Sequence, residues 1–176
     1  MQDTHIIFET ERLLVRRYTS SDGDNIFSLG GNEEVMRYIR ATQTKEQSDV
    51  FLLYNLNLYQ DYPQMGRWAV TEKATGKFVG SFAVLFIEDT QLIQLGYSLL
   101  PQEWGKGYAT ELTKTGLKYV FEIMKLPLIY AVTETANIAS QNVLLKAGFI
   151  KEIEFKEGEK ELIRFIIKNK PNPICN

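Results

Sequence analysis

The sequence predicts an α/β fold built on a mixed, mostly antiparallel sheet, and three observations predict it. First, short strand-like segments follow one another as a meander up to residue 100, and then the pattern changes to strand, helix, strand, helix and a closing hairpin. Second, residues 97–110, Tyr-Ser-Leu-Leu-Pro-Gln-Glu-Trp-Gly-Lys-Gly-Tyr-Ala-Thr, carry an apolar strand into a tight glycine loop that opens directly onto a helix. Third, Ala109, Leu112, Gly116, Leu117, Val120, Phe121 and Met124 recur with a period of about 3.6 residues, the stripe of a helix pressed against a sheet. A doubly wound parallel sheet does not fit, because it places its glycine loop after the first strand of a βαβ array.

The elements follow in order. Residues 11–18 read as a first strand, with Leu13 and Val15 alternating against Arg12 and Arg16. Residues 20–30 and 32–39 read as two short helices, each opened by a capping-type residue. A longer helix spans 45–61, where Val50, Leu53, Tyr54 and Leu58 fall at helical spacing, and Pro63 ends it. Residues 65–72 and 77–88 form a hairpin over Ala74-Thr75-Gly76, and Glu88-Asp89-Thr90 turns into a fourth strand, 91–100. Beyond the glycine loop and its helix, Pro127 leads into a fifth strand, 128–135. The last helix starts at Asn137 or Ser140 and stops at Gly148, and strands 149–156 and 160–167 close the fold across Glu157-Gly158-Glu159. The expected organisation is one domain over residues 1–170 and a frayed tail, 171–176, holding Pro171-Asn172-Pro173.

Composition narrows the class. With 176 residues, 44% of them hydrophobic, the chain can bury a core without staples. A net charge of −2 and a pI of ≈ 5.6 supply no electrostatic drive toward nucleic acid or an anionic membrane. The single cysteine, Cys175, has no partner for an internal disulfide. Residues 1–12 lack a basic and an apolar region of a secretion signal, and no apolar run approaches the ~18 residues of a membrane span. The chain reads as cytoplasmic.

The glycine loop carries the chemistry. A helix start exposes unpaired backbone N–H groups and aims them, with the positive end of the helix dipole, at one point. Gly105 and Gly107 let backbone approach a bulky anion without a Cβ in the way. A P-loop is excluded, since Gly105-Lys106 lacks the earlier glycine that motif requires. A dinucleotide fingerprint is excluded by Thr110, where it needs Gly or Ala. The pattern Gln/Arg-x-x-Gly-x-Gly/Ala is filled by Gln102, Gly105 and Gly107, and two ordinary loop glycines are the competing reading of that motif alone.

A second motif follows at residues 137–149, Asn-Ile-Ala-Ser-Gln-Asn-Val-Leu-Leu-Lys-Ala-Gly-Phe. With the first, in this order and spacing, it resembles the Gcn5-related N-acetyltransferase (GNAT) superfamily, which uses acetyl-coenzyme A. The nearest branch is similar to the ribosomal-protein N-terminal acetyltransferases (RimJ/RimL-like), whose hallmarks include Trp-Gly-x-Gly-Tyr-Ala-Thr-Glu and Asn-x-x-Ser ending in Lys-x-Gly-Phe. The resemblance runs from Thr10 to about Lys168. It implies an acyl-coenzyme A N-acyltransferase fold of about seven strands with flanking helices. The fourth and fifth strands splay apart, and the pantetheine arm of the cosubstrate fills the gap.

Carried over residue by residue, the resemblance implies a site. The Leu99 and Leu100 backbone would pair with the pantetheine arm, one N–H near Leu99 polarising the thioester carbonyl. After Gln102, the diphosphate would rest on N–H groups of Gly105, Lys106, Gly107, Tyr108, Ala109 and Thr110. Trp104 and Tyr108 flank the loop, either packing it onto the sheet or touching the cosubstrate; Lys106 adds charge or points to water. Asn137 matches a position whose amide bonds the arm, and is equally a helix cap. Ser140 matches a position whose hydroxyl lies near the sulfur, where it would assist departure of the thiolate. No metal is implied, and a homodimer is allowed by family analogy.

The general base is the gap in this reading. The only histidine, His5, falls in what reads as an N-terminal tail. Gln94 stands where some relatives carry Glu, and Gln cannot take a proton. Glu134 ends the fifth strand near the splay and is the carboxylate candidate; Glu152, Glu154, Glu157 and Glu159 read as solvated hairpin surface. A water chain can serve instead. That favours an easily deprotonated acceptor: an α-amine of pKa ~7.8 costs roughly 1 kcal/mol to neutralise at pH 7, against about 4.6 for lysine. A peptide N-terminus is therefore the expected acceptor, with residues 36–62, including Tyr54, Tyr59 and Tyr62, forming one wall of its cleft. The alternatives are a small amine (an antibiotic, a polyamine or an amino acid), a non-catalytic acyl-coenzyme A-binding domain, and an interaction module. A polyamine would want a strongly acidic cleft, and the acidic residues are dispersed along the chain.

Overall fold

The computed structural model describes residues 5–169. Over them the chain runs β1 (Ile6–Glu9), β2 (Leu13–Arg17), α1 (Gly23–Gly30), α2 (Glu33–Met36), α3 (Lys45–Asp61), β3 (Gly66–Glu72), β4 (Phe78–Phe86) and β5 (Ile93–Leu99). It continues through α4 (Tyr108–Lys118), β6 (Leu128–Glu134), α5 (Ile138–Lys146), β7 (Ile150–Glu157) and β8 (Lys160–Lys168). The strands form one sheet in the order β1-β2-β3-β4-β5-β6-β8-β7, antiparallel throughout except for the β5–β6 pair. The mixed, mostly antiparallel architecture expected from the sequence is present. The tail at 171–176 and Cys175 lie outside the described residues.

The sheet has eight strands where about seven were expected. The additional one is β1, which the sequence reading left in an N-terminal tail. It pairs with β2, and Arg17 N donates to His5 O at 2.9 Å. Phe8 then packs edge-on to Phe82 with ring centroids 5.4 Å apart. Ile6, Ile7 and Phe8 favour extended backbone, but four residues alone do not hold a strand; this edge strand exists because β2 offers a ladder and Phe82 a surface.

Adjacent residues on the strands face opposite layers. Trp68, Val70, Phe82, Val84 and Leu95 join the main core with Leu112, Leu117 and Val120 of the α4 helix and its continuation, confirming the predicted stripe. Gly116 is where that helix lies closest to the sheet: a Cβ there would sit 2.3 Å from Phe82 Cζ. The neighbouring Ala69 faces the other way, into a second core with Tyr18, Ile26 and Leu52 beneath α1 and α3. Each such apolar side chain contributes about 1.5–3 kcal/mol by leaving water.

The helix expected over 45–61 is present as α3, but the residues whose spacing marked it do not form its buried face. Val50, Leu53 and Tyr54 are 68%, 60% and 60% exposed, and the buried face is Ser48, Leu52, Asn55 and Tyr59. Apolar residues ring this helix, so spacing alone could not choose a face. The choice is made by partners from other segments. Tyr59 Oη accepts from Tyr18 N at 3.1 Å and donates to Arg67 O, which clamps α3 across β2 and β3. Asn55 Nδ2 satisfies itself on Phe51 O at 2.6 Å.

The turn before α1 is held by a buried ion pair. Arg16 Nη1 and Nη2 donate to both oxygens of Asp22 at 2.8 Å, and Thr19 N and Asn25 Nδ2 complete its shell. Burial resists the charge on Asp22, but these donors outweigh it and hold the carboxyl down at about 2. A depressed carboxyl contributes stability above its unfolded pKa of about 4, lost as the pH falls through the folded value. The stability gap between wild type and Asp22→Asn, expected to be about 2 kcal/mol at pH 6, should therefore close by about pH 2 in urea unfolding curves. A gap that is unchanged at acid pH would remove this carboxylate from the account.

Candidate active site

The centre of the site is a gap in the sheet. β5 and β6 run parallel but share a single bridge, Gln94 opposite Tyr130, and part beyond it toward Leu99 and Glu134. This is the splay expected at the fourth and fifth predicted strands. On its other side β5 stays laddered to β4 as far as Leu99, and Leu100 N donates to Val79 O at 3.0 Å. Antiparallel hydrogen bonds alternate in direction along a strand, so the N–H groups of Tyr97 and Leu99 turn away from β4 and into the gap. Of the two residues expected to meet a pantetheine arm, Leu99 offers an N–H there; that of Leu100 is spent on Val79.

The glycine loop adjoins the end of β5. Gly105 and Gly107 are both left-handed, with φ of 74° and 82°, which a residue with a Cβ adopts only under strain. Gly107 is the N-cap of α4, and no side chain caps that helix. By contrast α2, α3 and α5 are capped by Asn32, Thr44 and Asn137. The first N–H groups of α4, on Tyr108, Ala109 and Thr110, are thus presented outward by the loop. Nothing but Arg12 Nη2, at 3.6 Å, lies near a Cβ built on Gly107, and nothing lies within 4 Å of one on Gly105. This bare cradle fits a diphosphate.

The side chains of the loop brace it. Trp104 Nε1 donates to Leu99 O at 2.8 Å, tying the loop back onto β5. Tyr108 is buried, and its hydroxyl donates to Glu72 Oε1 at 2.6 Å. Lys106 pairs with Glu103 at 2.8 Å. Gln102 lies in the turn between β5 and the loop. A cation that the sequence reading missed is Arg12. Its guanidinium lies 4.5 Å over the Tyr108 ring and is fixed beside the cradle by Glu111 on α4, at 2.6 Å. Burial resists ionisation of Glu111, but donors on Thr10 and Arg12 outweigh it and keep the carboxyl low.

Across the gap, Asn137 caps α5 by accepting from Ser140 N at 3.1 Å, leaving its Nδ2 to donate elsewhere. Ser140 Oγ lies 3.3 Å from Tyr97 Oη. Tyr97 was not a sequence candidate, and only the fold brings it to Ser140. Burial pushes its hydroxyl up to about 12, with the Ser140 contact pulling slightly back. It therefore carries its proton throughout the neutral range.

A cavity of about 300 Å³ opens beside the gap on the α1–α3 face. Gln94, Gly96, Tyr97 and Ser98 of β5 and Thr133 and Glu134 of β6 line it toward the gap. Glu134 is held by Lys160 at 2.8 Å, and Lys160 also donates to Ile39 O at 3.1 Å. The helical segment lines this cavity through Met36, Tyr38, Ile39, Arg40 and Phe51. Tyr54 is exposed, Tyr59 is the clamp under the sheet, and Tyr62 packs edge-on to Phe86. Glu152 and Glu154 are paired on the outer hairpin with Arg164 and Lys151.

Residues 12–150 match the acetyltransferase (GNAT) domain family. The chain belongs to the GNAT acetyltransferase family. This acetyltransferase is 32% identical over 149 residues to the uncharacterized N-acetyltransferase YoaA of Bacillus subtilis (strain 168), an alignment covering 83% of this chain and 84% of YoaA. The fold is shared with RimL, a ribosomal alpha-N-protein acetyltransferase solved in complex with coenzyme A. There the TM-score is 0.80 at 15% identity, over 93% of this chain and 98% of RimL. It is also shared with the spermidine N-acetyltransferase of Vibrio cholerae, solved with coenzyme A and spermine, at a TM-score of 0.74 and 22% identity over 89% of this chain and 95% of that one. No helix of this GNAT protein, among the described residues, is long and apolar enough to cross a membrane.

Proposed function

We propose that the protein transfers the acetyl group of acetyl-coenzyme A to a primary amine by direct attack, with a peptide N-terminal α-amine as the acceptor. The observation that carries this reading is the uncapped start of α4 behind two left-handed glycines, standing at the mouth of the β5–β6 gap. A diphosphate on the N–H groups of residues 107–110 sends a pantetheine arm along the gap toward Leu99 and the Tyr97–Ser140 pair. Coenzyme A bound by RimL and by the spermidine enzyme on the same fold supports this cosubstrate.

The chemistry then follows from the residues. The amine nitrogen forms a bond to the thioester carbon while the carbon–sulfur bond breaks. The N–H of Leu99 faces the oxygen that gains charge, an interaction commonly worth ~2.7–4 kcal/mol. The departing thiolate accepts a hydrogen bond from the Tyr97–Ser140 hydroxyl pair, and the amine releases a proton to water or to Glu134. Holding both reactants in one cleft supplies much of the rate, about 7–11 kcal/mol in favourable geometries.

An acceptor screen that follows free thiol tests this. Peptide N-termini should be turned over in preference to lysine side chains. For an α-amine served by water, log kcat/KM should rise with unit slope and level off near the amine's own pKa, about 7.8. Replacing Glu134, Glu152 or Glu154 by Gln should each cost less than about tenfold, since a true general base costs 10²–10⁴. A hundredfold loss at one of them, or a preference for lysine, would overturn the water-mediated account. Gln94 in the cavity favours a second reading, a domain that binds acyl-coenzyme A without turning it over. Thiol release from any amine in the panel excludes it.

A further inference from the structure

We infer that the acceptor of this enzyme carries an anionic group close to its amine, and that Arg67, Arg40 and the hydroxyls of Tyr18 and Ser81 receive that group. The inference rests on the transfer reaction proposed above and names its substrate class. It begins with three polar atoms of one cavity that have no hydrogen-bond partner: Arg67 Nε, Tyr18 Oη and Ser81 Oγ. Tyr18 and Ser81 are 2% and 1% exposed; their hydroxyls are close enough for Ser81 to pull the Tyr18 hydroxyl down against the effect of burial, but they do not meet with hydrogen-bond geometry. Buried donors without partners cost free energy, and a cluster of three on one cavity wall marks the place where a ligand supplies the acceptor.

Charge at the same wall points to the sign of that ligand. The guanidiniums of Arg40 and Arg67 lie 4.3 and 5.6 Å from the centroid of one ring, Phe51. Neither is in salt-bridge contact with a carboxylate among the described residues. Burial pulls both below the usual arginine range, and the charge of Arg67 lowers Arg40 further. Stacking on Phe51 positions the two cations but neutralises neither. Two neighbouring, mutually repelling guanidiniums, Arg67 half-buried and Arg40 at the open side of the cavity, are stabilised by an anion bound between them and the sheet.

The rest of the cavity agrees with a bipolar acceptor. Glu134 and Glu157 line it from β6 and from the outer hairpin, with Lys160 beside Glu134. Cations thus stand toward β3 and α3, and carboxylates toward the gap where the amine must react. An aminocarboxylate fits that polarity, as does a peptide with an acidic residue next to its N-terminus. A polyamine would bring positive charge against Arg40 and Arg67.

Paired acceptors that differ in one charge test the inference, with free thiol as the readout. One pair is an amino acid and its C-terminal amide; the other is a C-amidated peptide with Glu or Gln at its second position. The anionic member of at least one pair should be favoured by about tenfold or more in kcat/KM, chiefly through KM. Which pair responds tells a small aminocarboxylate from an acidic peptide. In Arg67→Gln, and separately in Arg40→Gln, that ratio should collapse toward one, a comparison internal to each variant. Equal rates for charged and neutral members, an unchanged ratio in both variants, or a preference for spermidine would overturn the inference. Should no acceptor release thiol, the transfer reading falls by itself. Calorimetric titration of the same pairs into the coenzyme A-loaded protein still decides the anion site.

Discussion

Gly107→Val is expected to abolish binding of acetyl-coenzyme A while leaving the protein folded. The position combines a left-handed backbone, φ 82°, with open space in front of the first N–H groups of α4. A valine there costs about 1–2 kcal/mol in backbone strain, which a domain of this size tolerates. Its methyl groups, however, fill the volume that a diphosphate must enter to reach the N–H groups of residues 107–110. Strain and occlusion are separable with Gly76→Val. Gly76 has φ 70°, no atom within 4 Å of a built Cβ, and a place in the turn between β3 and β4. That control should lose similar stability and keep its affinity. Calorimetry beside thermal melts reads both quantities, and full affinity in Gly107→Val would reduce the loop to a structural turn.

Tyr97→Phe is expected to lower kcat by about 10²-fold with little change in cosubstrate affinity, as loss of a positioned proton donor does. The hydroxyl is buried, is held up at about 12, and meets Ser140 Oγ at 3.3 Å. A group that keeps its proton through neutral pH can donate a hydrogen bond to the thiolate as that charge develops. Ser140→Ala should act in the same direction, because it removes the partner that orients Tyr97. The double variant should cost much less than the product of the two single losses, since the hydroxyls act as a unit. A loss that appears wholly as weaker coenzyme A binding would assign the pair to binding and helix capping instead.

These two experiments address parts of the site that were unequally legible. The cradle could be read because it is local: Gly105, Gly107 and the opening turn of α4 are consecutive, and their backbone conformation follows from the residues themselves. The α4 stripe could be read for a related reason, its lysines Lys114 and Lys118 falling on the opposite, exposed side. On α3 the apolar residues surround the helix, and the face was decided by Tyr59 reaching Tyr18 and Arg67. Tyr97 escaped notice because on a strand it is one aromatic among many. Its meaning comes from Ser140, far along the chain, which α5 carries to it. Arg12 gains its place beside the cradle in the same way, through Glu111.

By itself, then, the sequence determined the order of strands and helices beyond β1, the mixed sheet, the glycine loop at the start of α4 and the family. Each of these is written in residue types at short, regular spacing, where local backbone preference and periodic burial decide the outcome. Only the tertiary structure decided the edge strand β1, the buried face of α3, the Tyr97–Ser140 pair and the grouping of Arg40 and Arg67 with Tyr18 and Ser81. These depend on which distant segments the sheet brings within a few ångströms. Such proximity is set by the packing of the whole core, and no window of the sequence contains it.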